Sequence, residues 1–211
     1  MNFYTLLRLA NVLTISRILM VPLFMLSFRY DWYFLALVVF AVASLTDFFD
    51  GRIARKRGVT GFGKFMDPLA DKLIVGAALI CLLTEGLIPG WMVLTIIGRE
   101  LVVTLLRVAF IANQGNVVAA SKWGKYKTSS QMVVIVISLI LLVIYAQRST
   151  WFAWLDVGFE SIVHRQGPIY FMMYLPLVLT VVSGLEFVYN NRKALYELMR
   201  STDSYDPADD I

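Results

Sequence analysis

One cysteine, Cys81, and one histidine, His164, occur in the whole sequence. A lone cysteine closes no disulfide within the chain, which removes the small secreted scaffolds. Cys81 lies inside an apolar run and reads as a small buried side chain. His164 sits in polar loop sequence, and one imidazole without partners builds no metal site. Charge is also scarce. Asp, Glu, Lys and Arg make up 16% of the chain, against about 25% in an ordinary soluble domain. Hydrophobic residues reach 59% and mean hydropathy is +0.70. A soluble core in a chain of 211 residues does not absorb that excess, but lipid does.

Six apolar segments run at roughly 12–29, 33–53, 66–85, 88–111, 129–146 and 167–189. Each is close to the roughly 20 residues that a bilayer crossing requires. Hydrocarbon offers no partner to open backbone groups, so every span is predicted to be helical. The first long apolar run, Ile18 to Phe28, is followed by no small-residue cleavage site and reads as a retained span. The expected fold class is all-α: a polytopic integral membrane protein with about six transmembrane helices and both termini cytoplasmic. The membrane domain is expected over 1–195 and a polar cytoplasmic tail over 196–211, which ends in Asp206, Asp209 and Asp210. Polar stretches at 54–64, 113–127 and 147–166 are expected as the longer loops.

Orientation follows from lysine and arginine. With six spans, the loops 54–64 and 113–127 share a side with both termini. Those regions carry Arg55, Lys56, Arg57, Lys64, Lys122, Lys125, Lys127, Arg192, Lys193 and Arg200, whereas the opposite loops carry Arg29, Arg148 and Arg165. The basic side is therefore cytoplasmic. Topology and attraction to anionic lipid account for most of this charge, and no nucleic-acid partner is expected. The aromatics Trp32, Tyr33, Trp91, Trp151, Phe152 and Trp154 fall near the predicted outer boundary and read as an interfacial belt.

Neither topology nor lipid explains the acids. The second segment ends in Asp47-Phe-Phe-Asp50-Gly51-Arg-Ile-Ala54-Arg55, and the third opens with Gly63-Lys-Phe-Met-Asp67-Pro-Leu-Ala-Asp71. Helix positions i, i+3, i+4 and i+7 share a face. Asp47, Asp50, Gly51 and Ala54 therefore form one stripe, and Asp67 and Asp71 another. Four carboxylates near a membrane are costly without cations. Two Mg²⁺ or Mn²⁺ ions would balance them and suit all-oxygen ligation. Paired metals are a standard device for displacement at phosphorus. Gly51 and Ala54 remove bulk beside the acids, and Arg55 is placed to pair with phosphate. Ordinary ion pairs with Arg52, Arg55, Lys64 and Lys72 would not require four aspartates, a glycine and an alanine in this register.

The string Asp47-x2-Asp50-Gly51-x2-Ala54-Arg55-x7-Gly63-x3-Asp67-x3-Asp71 resembles the signature of the CDP-alcohol phosphatidyltransferases. The usual pattern has eight residues before its second glycine where this chain has seven, a difference that falls in a loop. The resemblance implies a six-helix membrane enzyme with its site on the cytoplasmic side and CMP as leaving group. It implies Asp47, Asp50, Asp67 and Asp71 as metal ligands, Asp71 as catalytic base, and Gly51, Ala54, Arg55 and Gly63 as substrate-binding positions. It leaves a homodimer open.

Resemblance continues in Asn11-Val-Leu-Thr14-Ile-Ser-Arg17, in Gly98-Arg99-Glu100 with Arg107, and in Gly124-Lys125-Tyr-Lys127-Thr128. These segments are similar to the bacterial branch that joins CDP-diacylglycerol to sn-glycerol 3-phosphate. Thr14, Arg17, Arg99, Arg107, Lys125 and Lys127 are accordingly expected to bind substrate. The acceptor phosphate is dianionic and needs cations, and an arginine inside an apolar span without a task is expensive. For Arg99 the plainer alternative is an ion pair with Glu100 or another acid, and for Lys125 and Lys127 a topology signal. Rival acceptors within the family are phosphatidylglycerol, as in a cardiolipin synthase, or serine or inositol phosphate. A divalent-cation transporter is a remote rival from another class, since its acids would be expected at mid-membrane.

Overall fold

A computed structural model describes the backbone of residues 3–57, 61–114, 122–147, 167–192 and 194–196, and the side chains of 15–46, 72–108, 110, 123–147, 167–192 and 194–196. Six long helices carry the described chain. They are α1 (Phe3–Arg29), α2 (Tyr33–Arg57), α3 (Gly61–Thr84), α4 (Gly90–Gln114), α5 (Lys122–Ala146) and α6 (Pro168–Asn190). At 23 to 27 residues each, all are long enough for a bilayer crossing. Among the described residues, Trp123–Ala146 and Pro168–Asn190 are also apolar enough to cross a membrane.

The helices overrun the apolar segments. The loop expected at 54–64 is mostly helix, because α2 continues to Arg57 and α3 begins at Gly61. Likewise α4 runs to Gln114 and α5 begins at Lys122, so 113–114 and 122–127 of the loop expected at 113–127 are helical. Backbone hydrogen bonds propagate a helix one residue at a time once it is nucleated, so polar sequence at a membrane edge extends it. The region 148–166, with Arg148, Trp151, Phe152, Trp154, His164 and Arg165, lies outside the described residues, as does the tail from 197.

Two turns end their helices by the same device. Trp32 N–H donates to Ser27 O at 2.8 Å and Asp31 N–H to Phe28 O at 3.1 Å; Leu87 N–H donates to Leu82 O at 3.0 Å and Gly86 N–H to Leu83 O at 2.9 Å. This paired pattern needs one left-handed residue just past the helix. Gly86 takes it with φ 71°, and Asp31 takes it with φ 60°.

The chain divides into two compact units, Met1–Pro89 with Met132–Met172, and Gly90–Gln131 with Met173–Ile211. In the first, α1 packs on α2 and α3. Phe24 is fully buried, with its ring 6.0 Å from that of Phe40. Ala36 and Ala43 of α2 and Ala77 and Ala78 of α3 are also buried, and such small side chains let backbones approach closely. Cys81 is buried, as its apolar context predicts. Tyr33 departs from the expected belt. It turns inward, packs edge-on against Phe28, and its hydroxyl donates to Asp31 Oδ1 at 2.8 Å. Trp32 and Trp91 are exposed, as a belt requires.

In the second unit, Val103 and Phe110 of α4 pack on Phe187 of α6. Large apolar side chains also face outward here: Leu94 is 74% exposed, and Leu105 and Leu185 are 67%. Water penalises such surfaces, whereas lipid tails accept them. Buried hydroxyls follow the same logic. Ser27, Ser138 and Thr180 each donate back to the carbonyl four residues earlier, at 2.7, 2.8 and 2.6 Å, so none asks for a partner that lipid lacks.

Candidate active site

The acid-bearing ends of α2 and α3 lie in the first unit, where the two helices pack. Asp47 and Asp50 belong to the last turns of one uninterrupted helix, and Asp67 and Asp71 to the first turns of another. The i, i+3 and i, i+4 spacings therefore operate on real helical backbone, which places each pair on one face. Gly51, Ala54 and Arg55 continue the α2 helix past the acids, and Gly63 lies in the first turn of α3. The side chains of these residues, and that of Thr14 on α1, lie outside the described residues. Carboxylate oxygens are the donors that suit Mg²⁺ or Mn²⁺ over softer metals, so these four residue types would fit such ions.

Arg17, three residues after Thr14, is described. Its side chain is 1% exposed. A guanidinium that deep inside an apolar protein is held by specific interactions, because burial of an unassisted charge is prohibitive.

The other expected cations lie in the second unit, on α4 and the start of α5. Arg99 and Arg107 are both half-buried. Each has a buried Nε that meets no hydrogen-bond acceptor among the described residues. A buried donor without an acceptor costs about 1–3 kcal/mol, so both positions are predisposed toward an anion. Gln131, also buried, likewise has an Nε2 without an acceptor among the described residues.

The charge of Glu100 is felt at Arg99, but its direct hydrogen bond goes elsewhere. Its Oε1 accepts from Lys127 Nζ of α5, across 27 positions of sequence. Side-chain exposure is 3% for Lys127 and 16% for Glu100. Lys127, expected at a junction of loop and helix, is thus inside α5, buried and already neutralised. Lys125, two residues earlier, is exposed. The sequence treated the two lysines alike, but helical geometry turns them 200° apart. Glu100 carried a signal in sequence, since an acid inside an apolar span needs a task. What the sequence lacked was the identity of its partner.

Comparison with known proteins bears on most of the chain. The model of the CDP-alcohol phosphatidyltransferase family matches residues 7–162, which include both acid-bearing helix ends. A CDP-diacylglycerol–glycerol-3-phosphate 3-phosphatidyltransferase of Bacillus subtilis is 38% identical over 203 residues, 89% of this chain and 96% of the relative. Proteins of the same name from Pseudomonas fluorescens and Rickettsia felis are 41% identical over 168 residues and 35% identical over 183 residues. They cover 74% and 85% of this chain, and 82% and 92% of their own lengths. With the signature on two packed helices and this match along three quarters of its length, the chain belongs to the CDP-alcohol phosphatidyltransferase family.

Proposed function

We propose that this chain transfers the phosphatidyl group of CDP-diacylglycerol to sn-glycerol 3-phosphate, giving phosphatidylglycerophosphate and CMP. The observation that carries this reading is the similarity to relatives of that named activity over most of both chains. The helical register of Asp47, Asp50, Asp67 and Asp71 supplies the physical support.

The roles divide by residue. Asp47, Asp50, Asp67 and Asp71 hold two divalent cations, Mg²⁺ or Mn²⁺. When bound, these neutralise charge at the attacked phosphorus and on departing CMP. Gly51 and Ala54 leave room for the donor against α2, Arg55 pairs with its pyrophosphate, and Gly63 gives similar clearance on α3. Thr14 and Arg17 serve the donor head group. Asp71 accepts the proton of the acceptor hydroxyl as its oxygen bonds to the phosphatidyl phosphorus. The bond from that phosphorus to the bridging oxygen breaks, and CMP carries the electron pair away. Arg99, Arg107 and Lys125 meet the acceptor phosphate. Lys127 acts in the same region through its pair with Glu100, contributing position more than net charge. Residues 1–195 form the membrane domain with six spans. Both termini, the acids and the tail 196–211 face the cytoplasm of a bacterial cell. A homodimer is compatible with this arrangement.

The test is CMP release from CDP-diacylglycerol by the purified full chain in lipid nanodiscs, with a panel of acceptors. Release with glycerol 3-phosphate alone is expected. Release with phosphatidylglycerol instead would make the protein a cardiolipin synthase, and release with serine or inositol phosphate would likewise reassign the acceptor. Metal flux into sealed vesicles without CMP release would replace the enzyme by a transporter.

A further inference from the structure

Gly184 lies on α6, in the second unit, against Arg99 of α4. A Cβ at position 184 would stand 3.3 Å from Arg99 Cγ and 3.6 Å from Arg99 Nε. The space that any other residue would fill is therefore occupied by the stem of Arg99. At 3.3 Å even an alanine methyl makes that stem give way by a few tenths of an ångström. The atom it meets first is Cγ, near the backbone end of the side chain and not its free tip, so the displacement is passed on to the guanidinium that Cγ carries.

Two further facts make this contact more than ordinary packing. The adjacent acid, Glu100, is engaged by Lys127. Arg99 Nε is buried and finds no acceptor among the described residues. The stem is thus located by the glycine notch, while the guanidinium keeps donor capacity to offer.

We propose that Gly184 is a positioning residue for acceptor recognition: its missing side chain seats the stem of Arg99 so that the guanidinium is presented to the acceptor's phosphate. This rests on the reading of Arg99 as a phosphate ligand. The notch makes affinity for a phosphorylated acceptor depend on a residue that itself offers no polar group.

The experiment compares Gly184→Ala, Gly184→Val, Arg99→Gln and the double variant Gly184→Val/Arg99→Gln with the parent chain in lipid nanodiscs. Steady-state constants for both substrates and the thermal unfolding midpoint are measured for each. Gly184→Val is expected to raise the KM for glycerol 3-phosphate by about 10-fold or more, with about 150-fold as ceiling, the worth of one charge-assisted hydrogen bond. Gly184→Ala should show a smaller rise in the same constant, and it decides the matter if the valine variant does not fold. The KM for CDP-diacylglycerol and kcat should hold. The double variant should bind acceptor no worse than Arg99→Gln alone, since the notch acts only through that side chain. A rise for Arg99→Gln with none for the Gly184 variants, additive effects in the double variant, or equal weakening of both substrates would overturn the proposal. An unchanged acceptor KM in Arg99→Gln would instead sink the assignment of Arg99 to the phosphate, whatever Gly184 does.

Discussion

Replacing Glu100 by leucine removes the carboxylate that pairs with the Lys127 ammonium. The lysine side chain is 3% exposed and the glutamate 16%, so neither charge finds water when its partner is removed. Loss of one member of such a pair costs about 3–5 kcal/mol, because a buried charge is left uncompensated. For a chain of this size each kcal/mol moves the unfolding midpoint by about 2–4 °C. Glu100→Leu and Lys127→Met should therefore each lower the midpoint by roughly 6–20 °C. The double variant Glu100→Leu/Lys127→Met removes both charges together, and a well-packed apolar replacement of a buried pair is often neutral. It should recover most of the loss, and the thermodynamic cycle should show strong coupling. The assay is thermal unfolding in nanodiscs of fixed lipid composition. Single variants within about 0.5 kcal/mol of the parent, with additive doubles, would place the pair among exposed ion pairs of little worth. The inference that Lys127 is a strut between α4 and α5 would then be wrong. Lys125→Met supplies the contrast: that lysine is exposed, so its midpoint should hold while the KM for glycerol 3-phosphate rises.

Three other outcomes are expected. Asp47→Asn, Asp50→Asn and Asp67→Asn should each abolish chelator-reversible activity and weaken Mn²⁺ binding measured directly, while the protein still inserts; near-normal turnover in any two would end the two-metal assignment. Cysteines introduced at Arg57, Asn116 and Ser204 should react only from the cytoplasm and one at Arg148 only from outside, against low background because Cys81 is buried; reaction of Asn116 and Arg148 from one side would break the six-span topology. Partial desolvation at this exposed turn raises the Glu85 carboxyl pKa, and the Asp31 charge adds to this, while the Tyr33 hydroxyl and Arg29 oppose it. A raised folded pKa favours the folded state at low pH, and that contribution disappears as pH rises through the unfolded and then the folded value. Glu85→Gln should therefore gain stability relative to the parent as pH rises from the unfolded carboxylate value toward neutral, read from unfolding midpoints across that range; a difference that is flat with pH would contradict the environment described for Glu85.

The sequence alone determined that the chain is helical and suited to lipid. Apolar runs of span length leave few alternatives once open backbone is forbidden in hydrocarbon. It also determined the acid register, because a signature written at spacings of three and four residues survives any packing of the helices that carry it. Helix ends were less legible. Polar residues at 54–57 and 122–127 read as loop by composition, yet the backbone continues the helix through both, since a helix stops where its capping chemistry stops and not where hydropathy falls. Gly86 and Asp31 mark two such stops, and only coordinates show that Asp31 adopts the left-handed turn. The charges on α4 and α5 separate the two sources of knowledge most clearly. Sequence made Arg99, Arg107, Lys125 and Lys127 equivalent cations and offered Glu100 to Arg99 as a neighbour. Tertiary structure gave Glu100 to Lys127, left Lys125 exposed and seated Arg99 against Gly184. Such pairings join residues on different helices, and they depend on how each helix is rotated about its axis. That rotation is set by packing between helices and is written in no local stretch of sequence.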